Sequence, residues 1–184
     1  MNSPQPSEPK PRIGILTISD RASRGEYEDL SGPAIEEVFR EYIATDCDYQ
    51  RVIVPDEIPD IVAALNKFAD EGFALVGTTG STGPAPRDIV PEAMQKVCGK
   101  MLPGFGELMR RASLDIGVPT AILSRQTAGL IGSTLVVNMP GKPSSIRVCL
   151  NAVFPAIPYC IELAGGAYLE GNGEVVKVFR PKKK

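Results

Sequence analysis

The 184-residue chain contains no histidine. That absence excludes Ser-His-Asp and Cys-His nucleophile systems, imidazole bases and histidine metal ligands together. Chemistry is left to carboxylates, hydroxyls, Lys and Arg, backbone amides, or a bound hard cation such as Mg²⁺. Cysteine is scarce. Cys47, Cys98, Cys149 and Cys160 form no CxxC pair and lie in mostly apolar surroundings, which favours reduced, packed thiols over a disulfide framework or zinc site and points to the cytoplasm. There is no GxxxxGK[ST], and GFGELM at 104–109 carries only the first two glycines of a GxGxxG. No apolar run approaches the roughly 18–20 residues of a membrane-spanning helix. A net charge of −2 argues against a nucleic-acid footprint, and the terminal KKK reads as a solubilising tail.

What is present describes one globular domain. Hydrophobic residues make up 43% of the chain, and the length suits a single sizeable core. The proline-rich leader 1–11 is expected to be disordered, 12–180 to form the domain, and 181–184 a basic tail. RIGILTIS (12–19), YQRVIVP (49–55) and FALVGTT (73–79) read as strands. Helical patterns follow them from Pro33 to about Tyr42, from about Ile58 to Ala69 and from about Pro91 to Val97. Alternation at this spacing predicts a three-layer α/β/α fold around a mostly parallel sheet. A helix is expected over Gly104 to Asp115, then three short strands, TAILS, TAGLI and TLVVNMP. A hairpin between the first two would add one antiparallel strand. PSSIRVCLNAVFPAIPYCIEL reads as one or two helices, with Pro155 and Pro158 marking a break or kink.

Binding sites in open α/β sheets lie outside the carboxyl ends of the strands. Four segments converge there: ISDRAS (18–23), PDE (55–57), GTTGSTGPAPRD (77–88) and NMPGKP (138–143). The third holds three glycines, an arginine and an aspartate, a composition that lets backbone N–H groups gather around an anion. Asp56 and Asp88 leave strand ends beside these loops, which suits metal-phosphate work better than a glycosidase pair.

TTGSTGPAPRDIVPEA resembles the TTGGTG-x-x-x-RD-x-TPEA signature of the MogA/MoaB family of molybdenum-cofactor biosynthesis proteins. ISDRAS, VIVPDE, MPGFGELMR, AILSRQTAG and VVNMPGKPSSIRVCL are similar to family segments in the family's order, from about Arg12 onward. The APRD loop, IPYCIEL and FRPK are most similar to its bacterial MogA branch. The resemblance implies a homotrimer and the transfer of AMP from ATP to molybdopterin, with a molybdenum insertase as a downstream partner and no nucleic acid or membrane partner. By position it makes Asp56 and Asp88 the catalytic pair and the candidate Mg²⁺ ligands. It implies substrate binding by Ser113, Ser124 and Asn138 and by the Thr79, Gly80, Ser81, Thr82, Gly83 loop. Ser19, Asp20, Pro140 and Gly141 are further candidate substrate-binding residues, and Arg87, Arg125 and Lys142 are candidate phosphate contacts. Two other readings compete: a non-catalytic pterin-binding member of the family, and a nucleotide pyrophosphatase.

The chemistry agrees with the residues. A terminal phosphate attacking the α-phosphorus of ATP is already anionic near neutral pH and needs no general base, so a protein without histidine can align the two polyanions and neutralise the leaving group. Ser81 departs from the family's usual glycine. If the position required positive φ, a serine would cost on the order of 1 kcal/mol. Ser81 either takes a conformation that any residue tolerates or adds a hydroxyl contact to the ligand, and the first is expected because the backbone amides form the anion cradle.

Overall fold

The computed structural model describes residues 9–182. The leader therefore lies largely outside the described residues, apart from 9–11, which precede the first strand without regular structure; of the tail, 181 and 182 are described. The elements run β1 (Arg12–Ile18), α1 (Asp20–Ser23), α2 (Ser31–Tyr42), β2 (Asp48–Val54), α3 (Ile58–Asp70), β3 (Leu75–Thr79), α4 (Val90–Val97), β4 (Lys100–Met101) and α5 (Pro103–Asp115). A 3₁₀ turn (Pro119–Leu123) leads to β5 (Ala128–Ile131), β6 (Thr134–Met139) and α6 (Pro143–Val153), and a second 3₁₀ turn (Phe154–Ala156) leads to α7 (Ile157–Leu163).

The strands form one six-stranded sheet in the order β2-β1-β3-β6-β5-β4. The first four are parallel, and β5 runs antiparallel to both of its neighbours. This is the expected three-layer arrangement, and its layers follow from alternation along the strands. Ile13 and Ile15 of β1, Leu75 of β3 and Leu135 and Val137 of β6 face a core that includes Phe39, Met109, Ile146 and Phe154 from the helices. Leu16, Val76 and Val136 face the other core, with Ile61, Leu65 and Phe68 of α3 and Met94 of α4.

The antiparallel strand arises differently from the expectation. TAILS is not a strand: Pro119 sets the backbone for the 3₁₀ turn, and Ile122 and Leu123 project into solvent at 66% and 52% exposure instead of joining a ladder. The hairpin is β5–β6, turned by Gly132 and Ser133 with Gly132 at φ +57°. The two-residue β4 was not anticipated. The Pro143–Leu163 stretch is long and apolar enough, at mean hydropathy 1.4, to match a membrane span, against the sequence expectation. Here it is broken at Phe154–Ala156, and it buries Ile146, Leu150, Val153, Ile157 and Ile161 in the core.

At Gly77 a helix packs against the sheet with no room for a side chain. A Cβ on Gly77, at the centre of β3, would lie 2.8 Å from Ile35 and 2.9 Å from Phe39 of α2. Overpacking of this kind costs roughly 1–3 kcal/mol. Gly77→Ala is therefore expected to lower the melting temperature by about 2–10 °C, measured by calorimetry; an unchanged midpoint would mean that α2 does not press on the strand.

Candidate active site

Parallel pairing brings the strand ends level. Ile18 pairs with Val54, Thr17 with Thr79, and Thr79 with Met139, so the chain leaves β1, β2, β3 and β6 at one edge. The loops after Ile18, Val54, Thr79 and Met139 are the four segments picked out by composition. Strand order reverses between β1 and β3, and a cavity of about 150 Å³ opens at that switch point. Ser19, Thr79, Gly80 and Gly141, all candidate substrate contacts, line it together with Arg21, Tyr27, Asp29 and Ser31, which the sequence reading did not single out. Asp29 accepts hydrogen bonds from the N–H groups of Ser31 (3.0 Å) and Gly32 (3.0 Å) and from the Thr17 hydroxyl (2.7 Å). It thereby caps α2 and ties it to β1. An Asp just before a helix is a readable cap signal.

Asp20 and Asp56 are locked to each other. The Asp20 N–H donates to Asp56 Oδ2 (2.8 Å) and the Asp56 N–H donates to Asp20 Oδ1 (3.1 Å). Arg87 reaches across from the long loop, donating to Asp20 Oδ2 (2.6 Å) and to Glu57 Oε1 (2.9 Å). Burial pulls the Asp20 carboxyl upward, but the Asp56 amide and Arg87 outweigh it and hold it below the usual carboxylate range. Bonds to Glu57 and Asp20 raise the Arg87 pKa above its ordinary value.

The Gly80–Asp88 loop is built by its own contacts. Gly80 has φ +99°, and a Cβ there would stand 2.3 Å from the Ile18 carbonyl oxygen; only glycine fits. A Cβ on Gly83 would meet Asp88 Oδ2 at 2.7 Å. Asp88 Oδ2 in turn accepts from the Ala85 N–H (2.9 Å). Among the described residues, the N–H groups of Ser81, Thr82 and Gly83 have no hydrogen-bond partner, which leaves three successive donors of the kind that anion sites use.

Arg125, a candidate phosphate contact, directs its guanidinium inward, to the carbonyl oxygens of Gly83 (3.0 Å) and Asp88 and to Glu92. Its neighbour Ser124 donates to Thr82 Oγ1 (3.3 Å). Lys142 is exposed at the start of α6, and the Pro140 carbonyl accepts from Thr79 Oγ1 (2.9 Å). Two further candidate ligand contacts have buried side chains. Ser113 is buried in α5 with its hydroxyl on the Met109 carbonyl (3.1 Å). Asn138 is fully buried, donating to Thr78 Oγ1 (3.0 Å), and its Oδ1 has no partner among the described residues. Both side chains are enclosed, Ser113 within α5 and Asn138 beside β3.

Ser81 overturns the expectation made for it. Its φ of +54° lies in the left-handed region, the one such value at a non-glycine among the described residues. The hydroxyl compensates, donating to the Arg87 carbonyl (3.0 Å) and accepting from the Ile89 N–H (2.9 Å). Two opposed effects of about 1 kcal/mol per hydrogen bond and about 1–2 kcal/mol for the left-handed backbone then nearly cancel in Ser81→Gly. Ser81→Ala keeps the backbone cost and loses both bonds, so its melting temperature should fall further than that of Ser81→Gly. The opposite order in calorimetry would contradict the role given to the hydroxyl.

Residues 14–159 match the protein family described as "Probable molybdopterin binding domain". A molybdopterin adenylyltransferase of Helicobacter pylori (strain J99) is 58% identical over 172 residues, spanning 93% of this chain and 97% of that protein. The molybdopterin adenylyltransferase of Escherichia coli (strain K12) is 44% identical over 184 residues, spanning 93% and 94%. The crystal structure of the molybdopterin biosynthesis enzyme MoaB from Thermus thermophilus superposes with a TM-score of 0.78 at 42% identity, covering 86% of this chain and 99% of that one. Similarity of this extent, along nearly the whole chain and in the fold itself, means that the chain belongs to the molybdopterin-binding family of molybdenum cofactor biosynthesis proteins.

Proposed function

We propose that the chain is a molybdopterin adenylyltransferase, which transfers AMP from ATP to the terminal phosphate of molybdopterin and releases pyrophosphate. The observation that carries this reading is near-full-length identity to curated relatives of that name. The edge geometry supports it: three free amides beside two aspartate-bearing turns suit a pair of phosphorylated substrates.

In this reading the molybdopterin phosphate attacks the α-phosphorus, the bond to pyrophosphate breaks, and no proton needs to be removed by the protein. The work of the chain is alignment. The Ser81–Gly83 amides hold phosphate oxygens, Arg87 steadies the loop against Asp20 and Glu57, and Asp56 and Asp88 face the reacting phosphates. The donor set proposed here is a pair of aspartate carboxylates, Asp56 and Asp88. That donor set fits Mg²⁺, which takes one or two carboxylates from a protein and fills its shell with water and substrate phosphate. Oδ1 of Asp56 and Oδ1 of Asp88, free of hydrogen bonds among the described residues, are the atoms that would hold it. When bound, the cation offsets charge on the pyrophosphate leaving group.

A cytoplasmic location agrees with four free cysteines. Burial pushes the Cys47, Cys98 and Cys149 thiols up to about 11, so they are unreactive at neutral pH. A homotrimer follows from the family resemblance, and exposed apolar side chains at the end of α5 and in the following turn, Ile116 at 63% and Ile122 at 66%, supply surface for it. A molybdenum insertase is the partner that would receive the product.

Asp56→Asn and Asp88→Asn should each lower turnover by about 10²-fold or more while changing molybdopterin affinity far less; near-normal turnover in both would overturn the catalytic assignment. Light scattering at micromolar concentration should give three times the 19.7 kDa chain mass, and a monomer mass would refute the trimer.

A further inference from the structure

Arg125 stands outside the phosphate-binding role that its sequence position invites. Its guanidinium donates to the carbonyl of Gly83 (3.0 Å), to the carbonyl of Asp88 and to the carboxylate of Glu92, and its backbone N–H donates to the Thr82 carbonyl (2.7 Å). Gly83 and Asp88 are the two ends of the loop that carries the candidate catalytic carboxylate. One planar, rigid fork therefore spans that loop from end to end. Glu92, in the first turn of α4, sets the fork: one carboxylate oxygen takes the guanidinium, while the other is buried with no partner among the described residues. A carboxylate held that way depends on Arg125 for compensation, and the Arg125 hydrogen bond does hold the Glu92 carboxyl below its usual range.

We infer that Arg125 is a positioning residue and Glu92 its anchor: the pair staples the Gly83–Asp88 loop to α4 and so fixes where the Asp88 carboxylate points. The inference deepens the adenylyltransferase reading and rests on it for the importance of Asp88. The pair is half-exposed, at 38% and 43% for the side chains, and contributes little to global stability. Its effect lies in geometry, where small displacements of a catalytic group are costly. Lysine is a point charge on a flexible stem and cannot span three acceptors, so the conservative change is expected to fail.

The test uses the full-length chain with ATP, Mg²⁺ and molybdopterin. Arg125→Ala and Arg125→Lys should lower kcat by roughly 10–100-fold with the KM of either substrate within about threefold, and Glu92→Gln should show a smaller loss of the same kind. Free guanidinium should restore part of the Arg125→Ala rate. Hydrogen exchange at the Ala85 and Ile89 amides should speed up in all three variants, with melting temperatures close to that of the parent. Adding Arg125→Ala to Asp88→Asn should cost little more than Asp88→Asn alone, because the two act as one unit. A KM increase of tenfold or more with kcat kept, or full additivity with Asp88→Asn, would overturn the positioning role and make Arg125 a substrate contact. If Asp88→Asn itself retains parental turnover, the catalytic reading fails instead, and loop exchange still decides whether Arg125 staples the loop.

Discussion

Level parallel pairing of β2, β1, β3 and β6 is the constraint on which the site depends. Because Ile18 sits opposite Val54 and Thr79 opposite both Thr17 and Met139, four unrelated loops open at one height. A slip of one residue in any pair would turn that strand's apolar side chains away from their core and carry its loop out of reach. The register is therefore held by burial on both faces: Ile13 and Ile15 toward one helical layer, Leu16 and Ile18 toward the other. The 2.3 Å approach that a Cβ on Gly80 would make to the Ile18 carbonyl is a direct consequence of the same alignment.

On that frame, the long loop is shaped mainly by internal hydrogen bonds. Arg87, within the loop, ties it to Asp20 and Glu57, while Arg125 holds it from outside through the Gly83 and Asp88 carbonyls and is itself paired with Glu92. Ser81 accepts a left-handed backbone and recovers its cost through two bonds to the chain six and eight residues on. Strain of this sort persists where surrounding contacts over-determine it, and it concentrates at functional sites. The outcome is a run of three amides free to meet an anion, beside two aspartates each held by one oxygen and open at the other.

Elements with two-sided burial were the readable ones. RIGILTI and LVGTT have the apolar content of strands covered on both faces, the edge strand around VIV was read from its β-branched run although Ile53 is exposed, and the sheet class, layer order and the loops of the site followed from these three. TAILS has a similar composition but follows Pro119 and finds no partner strand, so it folded within a 3₁₀ turn; β4, two residues long, carries no periodicity to read. Within the site, Asp56, Asp88 and the glycine loop were legible because strand ends and turn chemistry are local. The partners of the arginines were not, since Glu57 lies 30 residues from Arg87 and Glu92 lies 33 from Arg125. Ser113 and Asn138 matched a family pattern by position, but only the fold reveals that their side chains are enclosed.

Product analysis with ATP labelled at the α-phosphorus tests the central claim most directly. With full-length protein, Mg²⁺ and molybdopterin, the label should move onto molybdopterin in step with release of one pyrophosphate per transfer, and no label should leave ATP when molybdopterin is omitted. Label recovered as free AMP, or no nucleotide consumed in the presence of molybdopterin, would contradict the account.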